Sequence, residues 1–378
     1  MPELSKQKLI NYKIKYMKKV VSIVMMFVFS ILLANATVRT VSNDPNSPGQ
    51  YTDLPTAVAA ANAGDTLLVS GSSNLYADIS LTKKLIILGT GYNPYKDFSA
   101  SVSKINNVTF SDGSDGSVLQ GFVINGGVSS TGNGVNNIVV KRNQFSSTTY
   151  LLNCTGNSWL ICENYIVNTD RAFGYTISIN GSSYVIQNNL FLGTPDIFNL
   201  PTNYNTLFVN NTFLIYNDQY NSAPNLALNN ALIANNIFYG TNGDMNASYN
   251  VGTGNTISNN IVYNNSYTNP LNVAAGVNQG VGNQYAVDPK FTNLVTTTSN
   301  SVTVPVVLSS NLQLLSTSTV KKGGTDGKEL GIYGGSTPAQ SPLTGCPSIP
   351  QVNSMTLNNL TVAPGGTLSI TIKAKEGN

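Results

Sequence analysis

The chain has 378 residues and no histidine, and this absence excludes several kinds of chemistry. Histidine is the usual general base near neutral pH and the commonest protein ligand of transition metals. Ser-His-Asp and Cys-His catalysis are therefore excluded. The three cysteines, Cys154, Cys162 and Cys346, show no metal-ligand spacing. A secreted chain permits one disulfide, for which Cys154 and Cys162 are candidates. No cofactor is predicted.

Charged residues are also scarce, at 10% of the chain, and the basic ones are concentrated at its start. Residues 1–19 hold six lysines and one glutamate, and residues 20–36 hold no charge. Without residues 1–36 the chain has 14 basic and 16 acidic residues. A partner with a phosphate backbone would require clustered lysine and arginine, so no nucleic-acid partner is predicted.

The first 36 residues have the pattern of a secretory signal peptide. A basic start precedes the uncharged run Val20–Ala34, and a small-residue site ends at Ala36. The run is shorter than the roughly 18–20 residues of a membrane span. We therefore expect cleavage near Ala36, a mature chain without a membrane span, and a location outside or on the surface of a bacterial cell. Met17 is an alternative start that would make 1–16 an extension.

One short phrase of apolar residues around asparagine returns six times, in forms such as "FVNNTFLIYN" at 208. Its gaps of 21, 25, 22, 25 and 24 residues indicate stacked structural repeats. The position three before each asparagine and the position two after it are apolar throughout, which is strand periodicity with core-facing residues. The aligned asparagines are Asn143, Asn164, Asn189, Asn211, Asn236 and Asn260.

An asparagine between two core-facing positions lies at a corner of the repeating coil. Its amide can bond sideways to turn backbone and along the stack to the next asparagine. We therefore predict a structural ladder of these six side chains. A leucine-rich repeat has a similar phrase, but it requires a helical segment and a further leucine. The connecting segments here carry strand and turn signals, which favours a parallel β-helix.

The ends of the repeat region resemble a known family. Residues 53–94 resemble the opening of secreted right-handed parallel β-helix proteins of the pectate-lyase-like superfamily. That resemblance implies a cap helix at Pro55–Asn62, a turn at Gly64-Asp65, and first strands at Leu67–Val69 and Leu85–Leu88. Residues 111–127 look like the next coil, with Gly121 in the asparagine column. Residues 282–293 and 311–335 resemble the family's closing coils.

The predicted fold class is thus all-β: a right-handed parallel β-helix solenoid with a short N-terminal cap helix and a small C-terminal β-strand tail. The predicted domains are the β-helix at 37–335, a Pro/Ser-rich linker at 336–350 and a β-hairpin tail at 351–378. A lone hairpin is marginal in water. It therefore either caps the solenoid or docks on another surface protein through its strands.

Few charged residues are candidates for catalysis. The superfamily's lyases use acidic residues, Ca²⁺ and a basic residue, and its hydrolases use paired carboxylates. Arg142 and Glu163 each precede a ladder asparagine, so they form either part of a site or a salt bridge between coils. Asp170 and Arg171 are either a carboxylate with a base or a solvated turn. Lys141 is expected to be an exposed surface residue.

Two further groups are candidates for ligand contact. Asp112 and Asp115 suggest a weak Ca²⁺ site, although no EF-hand spacing is present. Tyrosine is frequent, with 19 residues, and exposed tyrosines can stack on sugar rings. The candidates in predicted loops or strand ends are Tyr150, Tyr175, Tyr204, Tyr216, Tyr220, Tyr239, Tyr249 and Tyr263, of which Tyr216, Tyr220, Tyr239 and Tyr263 are taken as ligand-binding.

The predicted function is a secreted, non-catalytic β-helix scaffold at the cell surface, acting in adhesion or contact with a polysaccharide. The alternative is a polysaccharide lyase or glycoside hydrolase that acts on an extracellular polysaccharide. The same scaffold carries enzymes and inert surface proteins, so the resemblance is specific for the fold and not for the activity.

Overall fold

The computed structural model describes most of the chain after the predicted signal peptide. The described residues are 19, 36–93, 101–132, 134–146, 151–168, 177–193, 196–199, 205–216, 224–241, 247–299, 302–341, 343–359 and 361–376. Within these ranges, no helix has the length and hydropathy needed to cross a membrane. The predicted signal peptide lies outside the described residues, apart from Lys19 and Ala36.

The solenoid consists of three parallel sheets, here called A, B and C, to which successive coils contribute strands. Sheet A contains Val38–Val41, Thr66–Val69, Ile86–Leu88, Val118–Gln120, Val139–Lys141, Leu160–Cys162, Val185–Gln187, Leu207–Val209, Leu232–Ala234 and Thr256–Ser258. Sheet B contains Ser103–Ile105, Phe122–Ile124, Gln144–Phe145, Tyr165–Asn168, Leu190–Gly193, Thr212–Ile215, Ile237–Gly240, Ile261–Tyr263 and Gln284–Tyr285. Sheet C contains Ile79–Leu81, Val108–Phe110, Val128–Ser130, Leu152–Thr155, Ile177–Asn180, Asp196–Asn199 and Asn225–Ala227. The predicted parallel β-helix is confirmed.

Two sets of apolar residues fill the interior: those three positions before each repeated asparagine and those two positions after it. The column before the asparagines is fully buried on sheet A, and the column after them is fully buried on sheet B. The rings of Phe191, Phe213 and Phe238 stack in consecutive coils with centroids 4.6 Å apart. This spacing is close to the roughly 4.8 Å between neighbouring strands, so the side chains keep the register of the backbone.

The predicted asparagines form a continuous buried file at the corner between sheets A and B. In each step, the side-chain oxygen accepts the backbone N–H of the asparagine one coil earlier, at 2.8–3.0 Å. The same oxygen also accepts that residue's side-chain N–H, at 2.9–3.3 Å. Each amide nitrogen donates to a backbone carbonyl of the preceding coil, as Asn189 does to Ile161. The file continues through Asn283, which the repeat did not identify.

The residue before each file asparagine has left-handed backbone geometry, with φ between +54° and +82°. This column comprises Gly121, Arg142, Glu163, Asn188, Asn210, Asn235, Asn259 and Gly282. Gly121 pairs with Arg142 across sheets A and B, so its predicted place in the asparagine column is wrong by one residue. Phe122 lies in that column and donates its backbone N–H to Asn143. Asparagine and glycine dominate the corner because they adopt positive φ at the lowest cost.

A short helix, Leu54–Ala60, covers the first coil. Asp53 caps its N-terminus, and the carboxylate accepts the backbone N–H of Thr56 at 2.8 Å. Pro55 occupies the first turn, where its missing N–H costs nothing. Leu54, Ala57 and Val58 are buried on the face that meets the solenoid core. The predicted cap helix is confirmed, although it begins one residue earlier and ends two residues sooner.

Asp53→Ala should lower the free energy of unfolding by about 1 kcal/mol, because one helical N–H loses its side-chain acceptor. Chemical denaturation measures this loss. Asp44→Ala is the matched control, because Asp44 Oδ1 also accepts one backbone N–H, that of Asn46 at 2.9 Å, but outside any helix; its loss of free energy of unfolding should be smaller. Equal effects of the two variants would show that the cap does not stabilise the helix.

The coils end at Tyr285, and the chain then runs along the outside of the solenoid. Two antiparallel pairs follow, Phe291–Asn293 with Asn311–Leu314 and Thr296–Ser299 with Val302–Pro305. Short 3₁₀ turns lie at Val307–Ser309 and Gly331–Tyr333. Leu312 and Ile332 pack against the outer face of sheet B, together with Leu190 and Leu214. The middle of sheet B is therefore covered on its outer face as well as buried on its inner face.

The tail forms the predicted hairpin. Strands Pro350–Leu357 and Ile370–Glu376 pair in antiparallel register with one irregularity between Val352 and Ser354. Its described side chains from Ser354 onward are exposed, except that of Asn359, which is half-buried.

Candidate functional site

Arg142 and Glu163 form an ion pair at the left-handed corner between sheets A and B. Arg142 Nε donates to Glu163 Oε2 at 2.7 Å, and Lys141 Nζ lies 2.9 Å from Glu163 Oε1. The side chains of Arg142 and Glu163 are only 10% and 4% exposed. Lys141, which the sequence placed at the surface, is thus half-buried and paired. A fully paired carboxylate beneath other residues is not available as a general acid or base.

The segment 323–349, here called the strap, covers this corner and runs along it against the direction of the coils. Arg142 Nη1 donates to the carbonyl of Cys346 at 3.1 Å and to Ser348 Oγ at 2.7 Å. Further along, Asn188 donates to the carbonyls of Ile332 and Gly334. The residues with left-handed backbone at this corner therefore turn the chain, and their side chains also bind the strap through hydrogen bonds.

The segment that composition predicted as a linker, residues 336–350, overlaps the strap and is partly packed against the solenoid. Gln340, Thr344 and Cys346 are buried, and Gln187 donates to Thr337 at 3.0 Å. Proline and serine mark irregular backbone. They do not indicate whether side chains of a neighbouring column satisfy that backbone.

The remaining charged candidates do not converge in the described part of the chain. Asp170 and Arg171 lie outside the described residues. Asp112 and Asp115 are exposed in the turn between two strands, and Asp115 accepts the backbone N–H of Asn136. Among the described residues, no group of three or more Cys, Asp or Glu side chains is placed to hold a metal ion.

The tyrosine candidates are divided between covered and undescribed positions. Tyr239 packs against Tyr263 and Phe291, with ring centroids 5.0 and 5.2 Å away. Burial, helped by Asp288 and Tyr263, raises the pKa of Tyr239 to about 12. Tyr216 packs with the cluster on the outer face of sheet B. These three tyrosines are half-buried against neighbouring side chains, so only part of each ring is open to a ligand.

Other tyrosines also depart from the expectation. Tyr249, expected at a loop or strand end, is buried against Phe238. Tyr150, Tyr175, Tyr204 and Tyr220 lie outside the described residues.

The cysteines are buried and separate. Cys154 faces the core, and Cys162 lies on sheet A beside Lys141. They are free thiols, so the candidate disulfide between them does not form. Burial raises the pKa of Cys162 to about 12, and the neighbouring Glu163 adds to the shift. A thiol in this state is a poor nucleophile.

The outer face of sheet C is an open, neutral polar surface. Ser80, Thr109, Ser129 and Asn153 are register partners along four consecutive coils and point away from the core. A second row runs beside them through Ser111, Thr131, Thr155 and Asn180. These eight residues are here called the hydroxyl face.

Hydrogen bonds between coils fix the geometry of the hydroxyl face. Ser111 Oγ lies 3.2 Å from Ser80 Oγ and 3.0 Å from Thr131 Oγ1, and Thr109 Oγ1 lies 3.3 Å from Ser129 Oγ. Each hydroxyl retains donor or acceptor capacity toward solvent. None of the eight side chains carries a charge. The face can therefore bind a neutral ligand rich in hydroxyl groups through many weak hydrogen bonds.

The sequence analysis missed this face because its residues do not follow the asparagine phrase. The sheet C strands lie between the phrases, where coil lengths vary, and Ser and Thr in such segments also predict turns. Alternation in "LNCT" was the available signal, because Asn153 is exposed between the buried Leu152 and Cys154.

No protein-family model matches the chain, and no curated protein matches it. Among solved structures, the chain is similar to the pectate lyase Pel9A, with a TM-score of 0.39 and 15% sequence identity. The similarity covers 81% of this chain and 96% of that one.

Proposed function

We propose that this protein is a secreted, non-catalytic β-helix scaffold that contacts neutral carbohydrate through the hydroxyl face of sheet C. The observation that carries the proposal is the face itself: eight uncharged hydroxyl and amide side chains in two rows, four exposed and four half-buried, of which five are joined by inter-coil hydrogen bonds. Sugar hydroxyls are donors and acceptors of the same strength as these side chains.

The regular spacing supports an extended ligand more than a small one. Equivalent side chains recur once per coil, about 4.8 Å apart, so a polymer lying along the solenoid meets the same groups repeatedly. Each neutral hydrogen bond contributes only about 0.5–1.5 kcal/mol, and useful affinity requires several at once. A chain of neutral sugars has this repeated chemistry.

The non-catalytic part of the proposal is supported by the state of Arg142 and Glu163. Both groups are buried, paired with each other, and covered by Cys346 and Ser348. They stabilise the corner and do not reach a groove. Secretion is supported by the basic start, the uncharged run Val20–Ala34 and the small-residue site at Ala36.

The experiment uses the mature chain against a panel of neutral and acidic polysaccharides, with the bound fraction and the new reducing or unsaturated ends both measured. We expect retention by neutral polysaccharides without cleavage. Asn153→Ala should weaken binding about 2- to 10-fold, as expected for loss of one neutral hydrogen bond. Asn46→Ala, in an exposed turn, is the matched control and should leave binding unchanged.

Three results would overturn the proposal. New chain ends would show a lyase or hydrolase, which would direct attention to Asp170 and Arg171. Retention that Asn153→Ala and Asn46→Ala affect equally would place the contact elsewhere on the molecule. Absence of retention by every neutral polysaccharide would exclude the carbohydrate class.

A further inference from the structure

A pocket of about 240 Å³ lies where the cap helix meets the first strand of sheet C. Pro55, Val58 and Ala59 form its helix wall, and the segment 78–83, apart from Leu81, forms its strand wall. Pockets for drug-sized ligands have about 300–1,000 Å³. The smaller volume of this pocket suits a single small ring.

Both rows of the hydroxyl face run into this pocket. Ser80, the first residue of the first row, lines it. The second row extends past Ser111 to Thr82, because the N–H of Ser111 donates to the carbonyl of Leu81 at 2.8 Å and continues the parallel register by one residue. The strand that carries Ser80 is the last of sheet C on this side, and the cap helix packs against it. A polymer that follows the rows toward the helix therefore ends in the pocket.

Two charged residues fix the walls of the pocket. Lys83 Nζ donates to the carbonyls of Ala59 at 3.1 Å and Ala61 at 2.8 Å, so it ties the end of the helix to the strand segment. Asp78 accepts the backbone and side-chain N–H groups of Asn107 at 3.0 and 2.8 Å. One ammonium and one carboxylate give no net charge. The pocket is therefore formed in advance and favours a neutral ligand.

The lining combines an apolar wall with polar groups on one edge. The side chains of Pro55, Val58 and Ala59 offer only carbon atoms to a ligand. Opposite them, the Ser80 hydroxyl keeps bonding capacity beyond its contact with Ser111, and the Asp78 carboxylate has more acceptor positions than its two bonds use. Hydrogen bonds to an ionised group are roughly twice as strong as neutral ones. A pyranose ring has the matching chemistry, with C–H groups on its faces and hydroxyl groups around its edge.

From this combination we propose that the pocket binds the terminal residue of a neutral polysaccharide whose next residues lie on the hydroxyl face. This inference rests on the proposed function and adds to it a place for the chain end. A sugar in the middle of the polymer would have to continue into the cap helix, whereas a terminal sugar does not.

The first test measures binding of neutral monosaccharides to the mature chain by NMR of methyl groups, with glucose, galactose, mannose and xylose as probes. We expect saturable shifts of the Val58 and Ile79 methyl signals with at least one sugar. Ala59→Leu should weaken this binding at least about 10-fold, because the larger side chain occupies the space of the ring. Ala60→Leu, at the next exposed helix position and outside the pocket, is the matched control and should leave binding unchanged.

The second test measures retention of the same two variants by the neutral polysaccharides. Leucine and alanine are both good helix formers, so both variants should keep the cap helix. We expect Ala59→Leu to reduce retention and Ala60→Leu to leave it unchanged. Absence of a saturable shift with all four sugars would overturn the inference, as would equal effects of the two leucine variants.

Asn153→Ala, far from the pocket on the hydroxyl face, separates this inference from the proposed function. Retention that Asn153→Ala weakens and Ala59→Leu does not would overturn the chain-end pocket and leave the hydroxyl face as the contact. Monosaccharide binding without retention by any neutral polysaccharide would overturn the proposed function, and with it the assignment of the pocket to a chain end.

Discussion

Asn189→Ala should lower the free energy of unfolding by about 3–5 kcal/mol, a large part of the stability of a typical domain. Asn189 Oδ1 accepts two N–H groups of Asn164, at 3.0 Å each. Its amide nitrogen donates to the Ile161 carbonyl and to Asn211 Oδ1. Alanine leaves these buried groups without their partner, and each unsatisfied group costs about 1–3 kcal/mol.

Asn157→Ala is the matched control, since Asn157 also links successive coils but lies at an exposed corner. Its side-chain oxygen accepts the backbone N–H of Ser182 at 2.8 Å. Water replaces that bond in the variant, so we expect a loss below about 1 kcal/mol. Chemical denaturation measures both variants. Equal losses would show that the buried file contributes no more than a surface hydrogen bond.

Glu163→Ala should destabilise the protein by about 3–5 kcal/mol, because it leaves the Arg142 guanidinium buried without its counter-ion. The variant should also loosen the strap, since Arg142 holds the carbonyl of Cys346 and the hydroxyl of Ser348. Faster hydrogen exchange in residues 343–349 measures this second effect. Lys141→Ala is the control: its side chain is 29% exposed and Glu163 keeps Arg142, so the loss should stay below about 1 kcal/mol.

A double variant separates the ion pair from the shape of the corner. Arg142→Asn with Glu163→Asn converts these two positions to the residue found at Asn188, Asn210, Asn235 and Asn259 in the same column. Asparagine adopts the left-handed conformation readily, and no buried charge remains. We expect the double variant to regain most of the stability lost in Glu163→Ala. A double variant less stable than Glu163→Ala would show that the ion pair contributes net stability.

The sequence predicted the solenoid because the same few positions of each repeat require the same type of residue. Val140 and Phe145 face the core, and Asn143 between them must satisfy buried backbone. Few structures satisfy that combination, and it recurs in six successive coils. The file extended to Asn283 without being recognised, because the neighbouring core positions, Gly280 and Tyr285, break the apolar pattern that defined the phrase.

The strap and the hydroxyl face were not predicted, for a different reason. Their positions depend on which coils meet, and coil length varies with the connections between sheets B and C. Arg142 and Ser348 are 206 residues apart, and neither residue type indicates the other. The composition predicted a linker at residues 336–350, but in the structure buried side chains there bind irregular backbone through hydrogen bonds.

The most direct measurement of the stacked asparagine file is hydrogen exchange at asparagine side-chain amides, followed by NMR on the mature chain. The account predicts that the amides of Asn164, Asn189 and Asn211 exchange as slowly as the backbone of the sheets, because opening them requires separation of coils. The amides of Asn136 and Asn157 at the exposed corner should exchange quickly. File amides that exchange at the rate of the exposed ones would contradict the stacking of coils on a shared asparagine file.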